Sequence, residues 1–99
     1  MKKLLMVLSV AAASLSAQAE TRDIQDIYNR TCIACHASGA AGAPKTADAV
    51  AWKPRLEKGM DTLVKNAKNG IGAMPPKGLC MDCTDAEFKG LIEYMSKAK

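Results

Sequence analysis

This sequence predicts an all-α fold, and three observations carry that prediction. Apolar residues recur at the i, i+3, i+4 spacing of a helix face in separate stretches. Capping and stopping residues bracket those stretches: Thr21, the pair Asn69-Gly70, and the run Thr84-Asp85-Ala86-Glu87. No stretch reads as a strand, an internal repeat or a linker, so one small helical domain is expected.

The chain opens Met1-Lys2-Lys3, continues with an apolar run over residues 4–13 and closes that segment with Ala17-Gln18-Ala19. A basic start, a short apolar run and an A-x-A ending mark a secretory signal peptide. The run is too short for a membrane anchor, which needs about 20 apolar residues. No cysteine follows the cleavage site to take a lipid, and no later stretch could span a bilayer. Cleavage is expected after Ala19, which divides the chain into a signal peptide, 1–19, and a mature domain, 20–99.

Thr21 can N-cap the first helix, with Asp23 and Asp26 early in it, where acids suit the helix dipole. Ile24, Ile27 and Tyr28 form its apolar stripe. It runs into a glycine- and alanine-rich loop over residues 38–45 that contains Pro44. Residues 48–52 predict a short helical turn stopped near Lys53-Pro54, because a residue before proline avoids helical dihedrals. A middle helix is expected over residues 60–69, buried through Leu63, Val64 and Ala67 and ended by Asn69-Gly70. Residues 70–79 form a second loop, broken by Pro75-Pro76. Thr84-Asp85-Ala86-Glu87 is a capping box, and it opens a last helix with the stripe Phe88, Leu91, Ile92 and Met95.

Between the first helix and the first loop, the chain reads Cys32-Ile33-Ala34-Cys35-His36. That is C-x-x-C-H, the attachment sequence of a covalently bound c-type haem. The two cysteines can each form a thioether with a porphyrin vinyl group, and the next residue, His36, can be the proximal iron ligand. The competing readings are a redox C-x-x-C or half of a zinc site beside an unrelated histidine. The thin core favours a cofactor. Trp52 and Phe88 are single copies, Tyr28 and Tyr94 are the only tyrosines, and a chain of this size struggles to offset its conformational entropy with its own side chains. A buried porphyrin would complete the core, and Ala34, Ala37, Ala40, Ala41 and Ala43 suit a backbone that must approach a flat ring.

Four methionines follow the cleavage site: Met60, Met74, Met81 and Met95. Met60 starts a helix and Met95 lies in a helix stripe, so both suit core packing. Met81 sits between two close cysteines. Met74 lies in Gly70-Ile71-Gly72-Ala73-Met74-Pro75-Pro76, whose small residues and fixed dihedrals can hold a thioether against the ring. Met74 is therefore the expected sixth ligand. His36 is the sole histidine, so two-histidine ligation is excluded by counting.

Cys80-Met81-Asp82-Cys83 is a second C-x-x-C. With Cys32 and Cys35 on haem, Cys80 and Cys83 remain as a pair, for which a disulfide is the default in an oxidising compartment. A zinc site built from all four cysteines and a thiol-exchange role for Cys80 and Cys83 stand as alternatives. Loss of Lys2 and Lys3 leaves 12 basic against 10 acidic residues, a charge of +2 rather than +4. The lysines are scattered, without the basic run of a nucleic-acid site. The carboxylates are scattered singly too, with no spacing that suggests a catalytic pair.

These residues resemble those of class I cytochromes c, and within them the bacterial cytochrome c5 group. Cys32-Ile33-Ala34-Cys35-His36, the later Met74 and the flanking helices carry the general resemblance. Gly42-Ala43-Pro44-Lys45, Ala51-Trp52-Lys53-Pro54-Arg55, and Gly72-Ala73-Met74-Pro75-Pro76-Lys77-Gly78 followed by Cys80-Met81-Asp82-Cys83 carry the narrower one. The resemblance implies a small class I cytochrome c fold, with helices wrapped around one haem c per chain. It implies a soluble periplasmic electron carrier rather than an enzyme, with His36 and Met74 as axial ligands. It further implies that the Pro44 carbonyl accepts a hydrogen bond from His36, and that Trp52 and Arg55 lie near the haem propionates. Plain core packing for Trp52 and a solvated surface charge for Arg55 are the alternatives.

A carrier of this kind is expected to take electrons from a quinol-oxidising complex or a small cytochrome. It would pass them to a terminal oxidase or reductase through a haem edge ringed by residues 40–43 and 71–73. Nucleic acid and stable membrane insertion are not expected. The second function class is a haem enzyme or small-molecule sensor in which Met74 is labile.

Overall fold

The structure is a computed structural model that describes residues 22–98. The signal-peptide reading of residues 1–19 and the Thr21 cap lie outside the described residues. Helix α1 spans Ile24–Arg30 and is capped by Asp23, whose side chain accepts from the Gln25 N–H at 3.1 Å. The helix thus starts later than a Thr21 cap predicts, because the Asp23 carboxylate satisfies a first-turn donor. Ile27 and Tyr28 are buried, and Ile24 packs against the same core.

Helix α2, Ile33–His36, is one turn long and contains the C-x-x-C-H histidine. A 3-10 turn follows at Ala40–Gly42. Helix α3 runs over Ala49–Leu56 with Asp48 as its N-cap. Here the expected stop at Lys53-Pro54 is wrong: Pro54 lies inside the helix. The intrahelical bond that proline forgoes is the one to the Val50 carbonyl, and Val50 is 84% exposed, so water can take that carbonyl. Meanwhile Trp52 anchors the helix, buried and donating from its indole N–H to the Lys45 carbonyl at 2.9 Å.

Helix α4 spans Met60–Asn69 and ends at Gly70, whose φ of 85° suits only glycine without strain. A tight antiparallel pairing of Ile71 with Met74 and a 3-10 turn at Pro76–Leu79 shape the second loop. No extended strand occurs among the described residues. Helix α5, Asp85–Ser96, opens with the capping box: Thr84 Oγ1 accepts from the Glu87 N–H at 3.2 Å, and the Glu87 carboxylate accepts from the Thr84 N–H at 2.9 Å.

Helices α1 and α5 pack together, and Gly90 makes this close approach possible. A Cβ at position 90 would sit 2.8 Å from Ile24 Cδ1. Phe88, Leu91, Ile92 and Met95 are all buried, and they join Ile27, Tyr28, Trp52, Leu63 and Ala67 in one core. Met60 packs against that core, so Met60 and Met95 both have the packing role expected of them. The first loop is tied down at its far end, where the Ala47 N–H donates to the Met95 carbonyl at 2.7 Å.

Candidate haem site

The core is hollow on one side. A cavity of about 390 Å³ is walled by Leu63, Ala67, Phe88, Leu91, Ile92 and Met95, and its mouth is formed by the exposed residues of 40–42 and 71–73. Helix α2 delivers the C-x-x-C-H side chains to this cavity. Thr31 precedes the motif and holds the chain to α1 through its hydroxyl, which donates to the Ile27 carbonyl at 2.7 Å. One helical turn then places Cys32, Cys35 and His36 at i, i+3 and i+4, and all three line the cavity.

Cys32 and Cys35 are free thiols, the first half-buried and the second exposed. Burial pushes the Cys32 thiol up from its ordinary value. A thiol shifted in that direction is a poor thiolate nucleophile, unlike those of dithiol exchange proteins. His36 is buried, and its Nδ1 donates to the Pro44 carbonyl at 2.8 Å. A carbonyl can only accept, so Nδ1 carries the hydrogen and the neutral ring keeps its free lone pair on Nε2. The Trp52 ring stacks near His36, with centroids 5.8 Å apart and planes 23° from parallel.

Met74 lines the same cavity and is half-buried. Paired backbone hydrogen bonds between Ile71 and Met74, 3.1 and 2.9 Å long, fix its position in the loop. Gly78 leaves room for it: φ is +49° there, and a Cβ would stand 2.8 Å from the Met74 methyl carbon. Of the other candidates, Met60 does not line the cavity and Met81 is 68% exposed. Met95 does reach the cavity wall, but it is held inside the α5 stripe.

Trp52 and Arg55 also line the cavity. The one donor of Trp52 is already spent on Lys45, so the residue can offer only its ring to a bound group. Arg55 uses one nitrogen on the Ala51 carbonyl at 2.7 Å and keeps its remaining donors.

Cys80 and Cys83 form a disulfide with Cα atoms 5.4 Å apart, and neither lines the cavity. The four cysteines are therefore not assembled around one centre, and no cluster of three or more metal-ligating His, Cys, Asp or Glu occurs among the described residues. A zinc site has no support. A haem c fits instead: two thiols for thioethers, a histidine with a free nitrogen, a thioether and an apolar wall meet in one space.

Two features escaped the sequence reading. Arg22 bridges the start of α1 to the start of α5, donating to Glu87 at 2.7 and 3.0 Å and to Asp82 at 3.1 Å. These partners are about sixty positions apart, so no local pattern reveals them. The second is Asn66, which lines the cavity from α4. Leu63, Asn66 and Ala67 share one helix face at i, i+3 and i+4, while Val64 packs against the core beside them as expected.

Comparison with known proteins agrees with this geometry. Residues 19–95 match the family model described as cytochrome C oxidase, cbb3-type, subunit III. The cytochrome c5 of Ectopseudomonas mendocina is 46% identical over 83 residues, covering 82% of this chain and 95% of that protein. A mono-haem ferrocytochrome c from Shewanella putrefaciens superposes with a TM-score of 0.70 at 55% identity, covering 79% of this chain and 96% of that one. A cytochrome c solved in an electron-transfer complex with nitrite reductase superposes with a TM-score of 0.66 at 40% identity, covering 73% and 88%. The chain belongs to the cytochrome c5 family of small monohaem class I cytochromes c, which are electron carriers holding one covalently attached haem c.

Proposed function

We propose that this protein is a soluble periplasmic carrier that shuttles single electrons between respiratory partners. In this reading residues 1–19 export the chain and 20–99 are the working domain. Cys32 and Cys35 hold the haem by thioethers, and His36 and Met74 are its axial ligands. The observation that carries the reading is the convergence of Cys32, Cys35, His36 and Met74 on one apolar-walled cavity.

Bound haem c supplies reversible one-electron exchange at iron. The chain's own residues determine what else can happen there. The bond from His36 Nδ1 to Pro44 fixes the imidazole tautomer and orientation, and raises the basicity of Nε2. Met74 would hold the iron through its thioether, which favours the reduced state more than a second imidazole would. With His36 and Met74 both bound, the iron would offer oxygen and peroxide no free site. Leu63, Phe88, Leu91 and Ile92 line the cavity, where they would keep water off a bound ring and disfavour its more highly charged oxidised form.

The mouth made by residues 40–42 and 71–73 is small and largely apolar, which suits a weak contact that releases quickly. Donors in this reading are a quinol-oxidising complex or small cytochromes, and the acceptor is a terminal oxidase or reductase. The nitrite reductase complex of a related cytochrome c supports the reductase. Among the described residues no helix is long and apolar enough to cross a membrane.

Stopped-flow mixing of reduced protein with candidate acceptors, run beside a peroxide turnover assay, tests the reading. Fast exchange with at least one redox partner and no peroxide turnover is expected. Robust turnover with sluggish exchange would replace the carrier with an enzyme whose Met74 is labile.

A further inference from the structure

Four consecutive residues, 44–47, each commit a backbone group to a partner elsewhere in the chain. The Pro44 carbonyl accepts from His36 Nδ1 at 2.8 Å, and the Lys45 carbonyl accepts from the Trp52 indole at 2.9 Å. The Thr46 N–H donates to the His36 carbonyl at 2.8 Å, and the Ala47 N–H donates to the Met95 carbonyl at 2.7 Å. His36 is thus gripped twice, by its ring at Pro44 and by its backbone at Thr46. Ala47 holds φ at +69°, a left-handed conformation that alanine adopts only under constraint. A pair of hydroxyls buttresses the same place. Thr46 Oγ1 stands 2.7 Å from the Tyr28 hydroxyl and 3.4 Å from the His36 carbonyl. A carbonyl can only accept, so the threonine hydrogen goes to it and the Tyr28 O–H donates to Thr46. Tyr28 is buried and its ring packs on Tyr94 with centroids 5.0 Å apart, so the phenol is itself held in place. Packing alone would be met by a phenylalanine at 28 and a valine at 46.

We propose that Tyr28 and Thr46 are positioning residues for His36, whose paired hydroxyls hold the Pro44 carbonyl on Nδ1 and so lower the redox potential. The proposal rests on the reading of His36 as axial ligand. The Nδ1 hydrogen bond adds electron density to the imidazole and strengthens its donation at Nε2. Ferric iron, with one more positive charge, gains more from that donation than ferrous iron does. A firm bond at Nδ1 therefore lowers the potential, and a slack one raises it. Neither Tyr28 nor Thr46 lines the cavity, so neither acts by changing the polarity of its wall. Their effect passes through the short stretch of chain between Thr46 and Pro44.

The experiment is voltammetry of the holoprotein as wild type, Tyr28→Phe, Thr46→Val and Thr46→Ser. Tyr28→Phe and Thr46→Val each break the hydroxyl pair and should raise the midpoint potential. The expected change in the oxidised-to-reduced ratio is two- to fivefold, about 20–40 mV at 59 mV per decade. Thr46→Ser keeps a hydroxyl and should stay at the wild-type potential. The competing roles give different signs. A loosened loop that only admits water to the ring would stabilise the more highly charged oxidised form and lower the potential. A bond that serves stability alone would lower the melting temperature and leave the potential unmoved. An unchanged or lowered potential in either Tyr28→Phe or Thr46→Val overturns the proposal, as does a rise in Thr46→Ser equal to that in Thr46→Val. Should neither variant yield holoprotein, proton NMR of the wild-type ferrous protein carries the test. Slowly exchanging hydroxyl protons on Tyr28 and Thr46 are expected, and exchange at the rate of free hydroxyls overturns the proposal. The same spectrum separates the two readings. His36 ring protons without a large porphyrin ring-current shift defeat the ligand reading itself. Shifted ring protons, combined with an unmoved potential in the variants, defeat only the role of Tyr28 and Thr46.

Discussion

At the residue scale, Met74 is the side chain on which the carrier reading turns. Met74→Ala should keep haem bound through Cys32 and Cys35 but open the sixth position. The oxidised protein should become high-spin, bind added imidazole or cyanide readily, and show a lower potential; a spectrum identical to wild type would assign the ligand to another methionine. Glu87 supports a second residue-scale prediction, on pH. The Arg22 guanidinium hydrogen-bonded to it, followed by the Thr84 backbone N–H, pulls its carboxyl from an ordinary 4.5 down to about 2. A carboxyl depressed on folding stabilises the fold above its unfolded pKa and loses that contribution as pH falls through the folded one. Thermal stability should therefore decline between about pH 4.5 and pH 2, and Arg22→Met should flatten that part of the profile in melts followed by circular dichroism. His36 was legible from a five-residue string because covalent chemistry dictates the spacing. Glu87 was legible only as a cap, since its second partner lies 65 positions away.

Elements show where local sequence rules held and where tertiary contacts overrode them. The ends of α4 and α5 follow directly from Asn69-Gly70 and the capping box, because those signals satisfy backbone groups within a few residues. Helix α3 continues through Pro54 because the Trp52 anchor and the Asp48 cap outweigh one lost hydrogen bond. Gly90 costs α5 about 1 kcal/mol of helix propensity, and Ile24 occupies the space that a side chain there would need. Gly90→Ala should fall within about 1 kcal/mol of wild type, since the propensity gain offsets a small shift of a flexible Ile24 end. Gly90→Leu should cost about 1–3 kcal/mol by overpacking the α1–α5 contact, measured by chemical denaturation. The disulfide between Cys80 and Cys83 closes a tiny ring, so its entropic contribution is at most about 2 kcal/mol. Replacing both with alanine should lower the melting temperature by several degrees and leave the haem spectrum intact. Loss of the methionine-bound spectrum in that variant would show that the staple holds the ligand loop itself.

For the whole molecule, charge is the property that decides how it meets its partners. The full chain carries +4, but two of those charges, Lys2 and Lys3, lie in the expected signal peptide, leaving +2 on residues 20–99. Two haem propionates would bring the working protein close to neutrality. Strong electrostatic steering needs a large, one-signed field, and this carrier has none on that count. Its mouth offers small and apolar residues instead, with Ile71 48% exposed. Association should then depend on a modest apolar contact, which salt does not screen. Raising ionic strength from about 0.01 M to about 0.15 M shortens the Debye length from about 30 Å to about 8 Å. Across that range, second-order rates with a reductase or oxidase acceptor should fall only a few-fold in stopped-flow mixing. A fall of a hundredfold or more would mean that the lysines lining the cavity, Lys58 and Lys77, act as a local steering patch despite the small net charge. In that case Lys77→Gln should abolish most of the salt dependence, whereas Ile71→Ser should slow association at every ionic strength and leave the salt dependence unchanged.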